Sequence, residues 1–286
     1  MEQIAVISDI HGNITALKEV LKDIKRRKIK TTICLGDIIG KGINADKCIN
    51  LVKENCKIVI KGNCDDYYAG NNFPSNISVE RKKQINAYAK SIAKENNKYL
   101  KQLPFAYEMY ISGSLVRFFH ASPKSYNSKI LWLDSIEEKY SLFKPSTKTP
   151  SQEISDITIY GHLHQPFIEK LYNKTLVNCG SVGNTINIIR DKELDSKIEE
   201  TTPASYLIIE GEVNSKDTNN QLNLTLIRLP YNIEEELELN KNNPELSSYK
   251  KELLEGKYRR HSVIESQLRE KNIINKEKKW NYRLNH

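Results

Sequence analysis

Five short apolar runs in this chain each end in a turn that carries an aspartate, an asparagine or a histidine. Ile4–Ser8 runs into Asp9-Ile10-His11-Gly12-Asn13, and Thr31–Leu35 into Gly36-Asp37. Ile58–Ile60 is followed by Gly62-Asn63-Cys64-Asp65, Leu115–Phe119 by His120, and residues 157–160 by Gly161-His162-Leu163-His164. Short runs of this kind are the signature of strands buried in a mainly parallel sheet. Ligands of open α/β sheets bind beyond the carboxyl ends of the strands. The pattern therefore predicts one sheet edge that collects Asp9, His11, Asp37, Asn63, His120, His162 and His164. An isolated Asp-Gly or a lone His is usually an ordinary turn or packing residue. Here four of the six histidines fall in these turns, and coincidence at five strand ends argues against packing as the only reason.

Between the early runs the spacing is helical. Asn13 stands where an N-cap would, and Leu17, Val20, Leu21 and Ile24 recur on one face. Ala45–Val52 reads as a helix, and residues 79–101 as one long polar helix marked by Ile85, Tyr88, Ile92, Tyr99 and Leu100. From Phe105 strands take over, at 105–111, 114–120, 157–160, 166–171, 174–178, 205–210 and 221–228. Residues 144–156 are loop-like, and 211–221 read as a polar hairpin turn. Alternating strands and helices that give way to strands predict an α/β domain of two sheets flanked by helices over residues 1–230. After Pro230 the chain is charged and helical. Leu237, Leu246, Tyr249, Leu253 and Leu254 predict that this C-terminal extension, 231–286, packs on the core.

The chemistry follows from the ligand types. Carboxylate, imidazole and amide oxygen, with no thiolate pair, suit divalent Mn, Fe or Zn. Seven ligands exceed one tetrahedral site but fit two ions that share a bridging carboxylate. Such ion pairs clamp the attacking and leaving oxygens of an in-line displacement and acidify a shared water to hydroxide. Competing chemistries lack support. Gly36, Gly40 and Gly42 are not followed by a Walker Lys-Ser pattern. Ser8 and Ser181 have no triad partners.

Composition bounds the setting. A chain of 286 residues can bury a core without staples. Its five cysteines, an odd set with no CxxC spacing, point to free thiols in a reducing cytoplasm. No apolar run reaches the roughly 20 residues that span a bilayer, and a strand pattern begins within three residues of Met1, so neither membrane nor secretory routing is expected. The net charge of +8 can steer phosphate-bearing ligands. The basic runs Lys25–Lys28 and Arg81–Lys83 are too short and too poor in aromatics for a nucleic-acid platform. Lys41 and Lys61, beside the metal-bearing turns, read as solvated lysines, and Tyr67, Tyr68 and Phe73 as ordinary packing.

Taken together, Asp9-x-His11-Gly12-Asn13, Gly36-Asp37, Gly62-Asn63-x-Asp65, His120 and Gly161-His162-x-His164 resemble the calcineurin-like metallophosphoesterases, over about residues 1–230. Gly62-Asn63-Cys64-Asp65 and Asn178-Cys179-Gly180-Ser181 are similar to the small prokaryotic phosphodiesterase branch, and the tail is more loosely similar to bacterial members that hydrolyse dinucleoside polyphosphates. The resemblance implies a four-layer α/β/β/α sandwich and two divalent ions, manganese first, with Fe, Zn, Ni or Mg as alternatives. It implies Asp9, His11 and His164 on one ion, Asn63, His120 and His162 on the other, and Asp37 across both. The activity implied is hydrolysis of small phosphodiesters or nucleotides. A protein Ser/Thr phosphatase and a non-catalytic scaffold of the same fold are the alternatives.

One position departs from the family. Where many members carry Gly-Asn-His, this chain has Cys64, a poorer proton donor at neutral pH. Loss of a general acid, commonly worth about 10²–10⁴-fold, implies a preference for good leaving groups. Asp65 or Asp66 could stand in as donor. Asn13 has two readings, a helix cap or a contact to substrate phosphate; Asn63 is expected to touch substrate as well as metal.

Overall fold

Alternate residues of the first strand face opposite ways, and both faces are apolar. Ile4 and Val6 join one buried cluster, while Ala5 and Ile7 join another. A strand with that pattern must lie between two layers. The computed structural model describes residues 1–70, 77–131, 133–186 and 202–256. Its elements run β1 (Glu2–Ile7), α1 (Ile14–Arg26), β2 (Thr31–Cys34), α2 (Ala45–Asn55), β3 (Ile58–Val59), α3 (Asn63–Gly70), α4 (Val79–Ser91), α5 (Lys94–Gln102), β4 (Ala106–Ile111) and β5 (Ser114–Phe119). Then follow α6 (Ile136–Tyr140), β6 (Ile157–Tyr160), β7 (Phe167–Leu171), β8 (Lys174–Asn178), β9 (Ala204–Gly211), β10 (Asn223–Leu229), α7 (Ile233–Leu239) and α8 (Leu246–Glu255).

The strands form two five-stranded sheets, ordered β10-β9-β1-β2-β3 and β4-β5-β6-β8-β7. β1, β2 and β3 are parallel, as are β5, β6 and β8. Ile4, Val6, Ile33, Leu207 and Ile209 of the first sheet, with Leu35 just beyond β2, meet Val116, Phe118, Ile157, Ile159 and Val177 of the second in one central cluster. Outside the first sheet, Ala5, Ile7 and Ile208 pack on Leu17, Val20 and Ile24 of α1 and on Cys48, Ile49 and Val52 of α2. Outside the second, Phe119, Tyr160 and Leu176 pack on Leu142 and Phe143, in the turn after α6. The result is the four-layer sandwich expected from the sequence.

Three elements differ from the sequence reading. Residues 79–101 are two helices, because the carboxylate of Asp46 on α2 accepts the Ala93 N–H at 3.1 and 3.2 Å and the Asn96 amide at 2.8 Å. An anion held at that point caps a new helix start rather than a continuing helix. α3 begins on Asn63 itself, and α6 is a short helix closed by a capping box of Ser135 and Glu138. The extension also docks differently from an apolar stripe. Tyr249 and Leu253 are buried, but Leu254 is exposed, and the carboxylates of Glu236 and Glu252 are buried with them. Residues 257–286 of the extension lie outside the described residues. Among the described residues, no helix is long and apolar enough to cross a membrane.

Candidate metal centre

Parallel strands bring their carboxyl ends to one edge, and the turns beyond them meet there. Backbone bonds stitch these turns together. Asp9 N–H donates to Gly36 O at 3.0 Å, His11 N–H to Asp37 O at 2.9 Å, Gly161 N–H to His120 O at 2.9 Å and Gly183 N–H to Asp9 O at 3.1 Å. The glycines preceding Asn63 and His162 are fixed by close approach. A Cβ on Gly62 would sit 2.1 Å from Asp37 N, and one on Gly161 would sit 2.1 Å from Ser8 Oγ and 2.5 Å from Asp9 Oδ2.

The same turns hold their residues in a costly conformation. Asp9 (φ 53°), His11 (53°), Asp37 (51°), His162 (63°) and His164 (63°) all lie in the left-handed region. For non-glycine residues this costs about 1 kcal/mol or more each and persists only where the surroundings enforce it. Five of the seven residues that the sequence placed at the sheet edge are therefore strained, each beside a stitched turn.

Their side chains converge in two adjacent groups, joined by a third of His11, Asp37 and Cys64. Ligand atoms of Asp9, His11 and His164 lie within 4.8 Å of one another, and so do those of Asp37, His120 and His162. Asp37 lies between the groups, with Oδ2 3.7 Å from His11 Nε2 and Oδ1 3.5 Å from His120 Nε2. Asn63, the first residue of α3, brings Oδ1 to 3.0 Å from His120 Nε2. Cys64 joins the edge as well. Its N–H donates to Asp37 Oδ1 at 2.7 Å, and its thiol lies within 4.8 Å of ligand atoms of His11 and Asp37.

Hydrogen bonding sets which nitrogen faces inward. His11, His120 and His164 donate Nδ1–H to the carbonyls of Ile39 (3.3 Å), Leu35 (2.9 Å) and Asn184 (2.6 Å). Each ring is thereby left with an Nε2 lone pair toward the centre. Two of these, His11 and His164, face each other at only 3.0 Å. Asp9 Oδ1 and His162 Nε2 are buried without a hydrogen-bond partner. Acceptors buried against acceptors are unfavourable unless a cation lies among them. The donor set of carboxylate, imidazole and amide oxygen suits a hard-to-borderline divalent ion. The residues present fit a divalent-metal site.

The electrostatics agree. Burial and the Asp9 charge push Asp37 up to about 7. Burial also raises Asp9, but the imidazoles of His164 and His11 outweigh it and hold that carboxyl well below the usual range. Burial lowers His11 to about 3 and His162 well below the ordinary imidazole value, so both rings are neutral ligands at neutral pH. Burial, with the Asp37 carboxylate, pushes the Cys64 thiol well up, which keeps it protonated and a weak acid.

Some sequence expectations hold here and others are corrected. The amide of Asn13 is fully buried. Its Oδ1 caps α1 by accepting Ala16 N–H at 2.9 Å, and its Nδ2 donates to Gly183 O at 2.8 Å and Tyr231 Oη at 3.2 Å. It braces the first turn and presents nothing to a substrate. Asp65 is no proton donor to a leaving group. Its carboxylate accepts the N–H groups of Gly62 (2.9 Å), Asp37 (2.8 Å) and Ile38 (3.0 Å), which pins the second turn to the third. Burial and the Asp37 charge push it up to about 7. Lys41 is not solvated, being paired with Glu252 at 2.8 Å. Lys61 is mostly covered and donates to Lys101 O at 3.0 Å. Tyr68 is buried and donates to Gly40 O at 2.9 Å, whereas the half-buried Tyr67 hydroxyl bonds to Asn127 beyond β5. Phe73 lies outside the described residues.

Sequence reasoning missed the supports. Ser8 Oγ donates to Asp9 Oδ2 at 2.6 Å, and Ser181 Oγ donates to Asp9 O at 2.7 Å. Asn178 Nδ2 donates to Gly161 O at 2.6 Å. Ser8 and the Asn178–Ser181 block adjoin the metal-bearing turns in sequence or in pattern, so a signal existed for them. Asn184 gives none, because its role appears only when β8 lies beside β6.

Comparison with known proteins follows the same lines. The family profile of the calcineurin-like phosphoesterase superfamily domain matches residues 2–194. An uncharacterized protein of Methanocaldococcus jannaschii is 36% identical over 202 residues, which span 63% of this chain and 76% of that protein. Two solved structures share the fold. A metallophosphoesterase from Sphaerobacter thermophilus superposes with a TM-score of 0.64 at 22% identity, covering 89% of this chain and 99% of that one. A hypothetical protein from Pyrococcus horikoshii OT3 superposes with a TM-score of 0.66 at 20% identity, covering 90% and 100%.

Proposed function

Because the chain belongs to the calcineurin-like phosphoesterase superfamily, we propose that it is a dimetal phosphodiesterase acting on small phosphodiesters or nucleotides, dinucleoside polyphosphates among them. When bound, two divalent cations, manganese in this proposal, lower the pKa of water between them and offset the charge that develops on phosphoryl oxygens. Asp9, His11 and His164 would hold one ion, and Asn63, His120 and His162 the other, with Asp37 available to both. The observation that most supports this reading is the pair of adjacent Asp–His groups, with Asp37 of the second reaching His11 of the first.

The chain's own residues set the rest. The carbonyl partners of His11, His120 and His164 keep each Nε2 aimed at the centre. Asn63, at the start of α3, turns its amide oxygen toward His120, and in this proposal it also contacts substrate. Cys64 keeps its proton, so the leaving group must depart with little help, which favours aryl esters, nucleotides and anhydrides. All five cysteines are free, which accords with a reducing cytoplasm as the proposed location. The proposed partner is a small phosphoester, with neither a membrane nor a nucleic acid involved.

The test is an activity screen of the metal-reconstituted protein over phosphomonoesters, aryl phosphodiesters, cyclic nucleotides, dinucleoside polyphosphates and phosphopeptides. We expect Mn²⁺-dependent cleavage of phosphodiesters and anhydrides, lost on chelation and in Asp37→Asn. Cys64→His should help esters with poor leaving groups more than activated ones. Cleavage confined to phosphopeptides would replace the reading with a protein phosphatase, and no hydrolysis by metal-loaded protein would replace it with a scaffold.

A further inference from the structure

The C-terminal segment reaches the metal-bearing turns from outside the region matched by the family profile, which ends at residue 194. Four polar contacts tie it to the turns after β1 and β2 and to the first turn of α1. Asn13 Nδ2 donates to Tyr231 Oη at 3.2 Å, Thr15 N–H to Glu236 Oε2 at 3.2 Å, Ile43 N–H to Asn240 Oδ1 at 2.9 Å and Asn243 Nδ2 to Lys41 O at 2.8 Å. A fifth contact goes deeper. Glu252 on α8 is 1% exposed, and its Oε2 lies 2.8 Å from the mostly covered Lys41 Nζ.

That pair grips both ends of one amide. Lys41 Nζ donates to Asn184 Oδ1 at 2.7 Å, and Asn184 Nδ2 donates to Glu252 Oε2 at 3.2 Å. With its nitrogen held by the carboxylate and its oxygen by the ammonium, the amide has a single orientation. In that orientation Asn184 Oδ1 is 3.1 Å from His164 Nδ1, beside the Asn184 carbonyl that accepts the same N–H at 2.6 Å. Outer partners of this kind fix the tautomer and direction of a ligating ring.

We propose that Glu252 is a positioning residue of the metal centre: it neutralises Lys41 and locks Asn184, which aims His164 at the ion. The inference rests on the reading of this site as a divalent-metal centre. It assigns the C-terminal helix a part in metal binding, through a charge that the helix supplies. Without the carboxylate, the Lys41 ammonium stays beside His164 in a poorly screened site and repels an incoming cation. Without Lys41, the carboxylate still holds Asn184 Nδ2 and no such repulsion arises; in the double variant K41M/E252Q the amide oxygen that E252Q introduces can accept the same N–H.

The test measures Mn²⁺ affinity of the full-length protein by titration calorimetry, with circular dichroism and the metal-free melting temperature recorded for each variant. Glu252→Gln should weaken Mn²⁺ binding about tenfold, at the low end of what loss of an outer partner causes. K41M should bind as tightly as the wild type or more tightly, and K41M/E252Q should return to within about threefold of it. In the Co²⁺-loaded protein, the visible d–d spectrum of E252Q should differ from that of the wild type, and the double variant should restore it. A simple packing role predicts the opposite signs, with K41M weaker and the double variant weaker than either single one. That result, or E252Q binding within about twofold of wild type, overturns the proposal. K41M decides the sign on its own if E252Q does not fold. Wild-type protein that binds neither Mn²⁺ nor Co²⁺ overturns the metal reading and this proposal with it, whereas tight wild-type binding with unmoved variants overturns this proposal alone.

Discussion

Asp37 carries the clearest conflict between folding and chemistry. Burial and the neighbouring Asp9 charge push its carboxyl up to about 7, against about 3.9 for an exposed aspartate. Between those values the unfolded chain has released the proton and the native chain has kept it. The group's contribution to stability therefore falls as pH rises through about 7. Asparagine has no proton to lose. The metal-free Asp37→Asn protein should gain melting temperature relative to the wild type on going from pH 5 to pH 8, and a difference that stays flat would speak against a buried, raised Asp37. At this scale much of the site was legible, because aspartate and histidine at strand ends are rare enough to stand out. Asn184, Glu252 and the bracing role of Asp65 were not, since an asparagine in a loop, a glutamate on a polar helix and an acidic residue in a turn are each ordinary until the chain is folded. Asn13 was half legible: its capping of α1 was among the readings, whereas the Gly183 and Tyr231 partners of its amide lie far along the chain.

Asp46 shows how one side chain can set the boundary of an element. Periodicity alone carries residues 79–101 through as one helix, because Ile85, Ile92 and Leu100 are all buried on it. The break at Ala93 comes from a carboxylate on α2, more than forty residues away, which no local pattern reveals. Asp46→Ala should cost about 1–2 kcal/mol by removing the capping acceptor. It should lower the urea midpoint while leaving Mn²⁺ affinity unchanged, and a stable protein with weakened metal binding would contradict this division. The strands were read well, since strands buried on both faces have an apolar signature that tertiary context only reinforces. α6 was not: its Ser135–Glu138 capping box is plain, yet five residues are too few to show a helical period.

For the molecule as a whole, the centre is a store of unfavourable terms that a cation would relieve. Asp9 Oδ1 and His162 Nε2 lack partners, lone pairs of His11 and His164 oppose each other, and five ligand-bearing residues are strained. Binding to the native state alone stabilises by about 2.7 kcal/mol at a hundredfold excess of ion over its dissociation constant. For a chain of this size that amounts to roughly 5–10 °C. Adding Mn²⁺ to chelated protein should raise the melting temperature by that much, and no rise would count against the centre. The sheet order carries a further consequence. β1, which leads into Asp9 and His11, has β2 on one side and β9 on the other, so its second neighbour begins only at Ala204. A chain emerging from the ribosome must leave one edge of that strand bare until β9 has been made, and non-local pairing of this sort is slow and prone to mispairing. Nascent fragments ending before residue 204 should then be the species that chaperones hold most tightly.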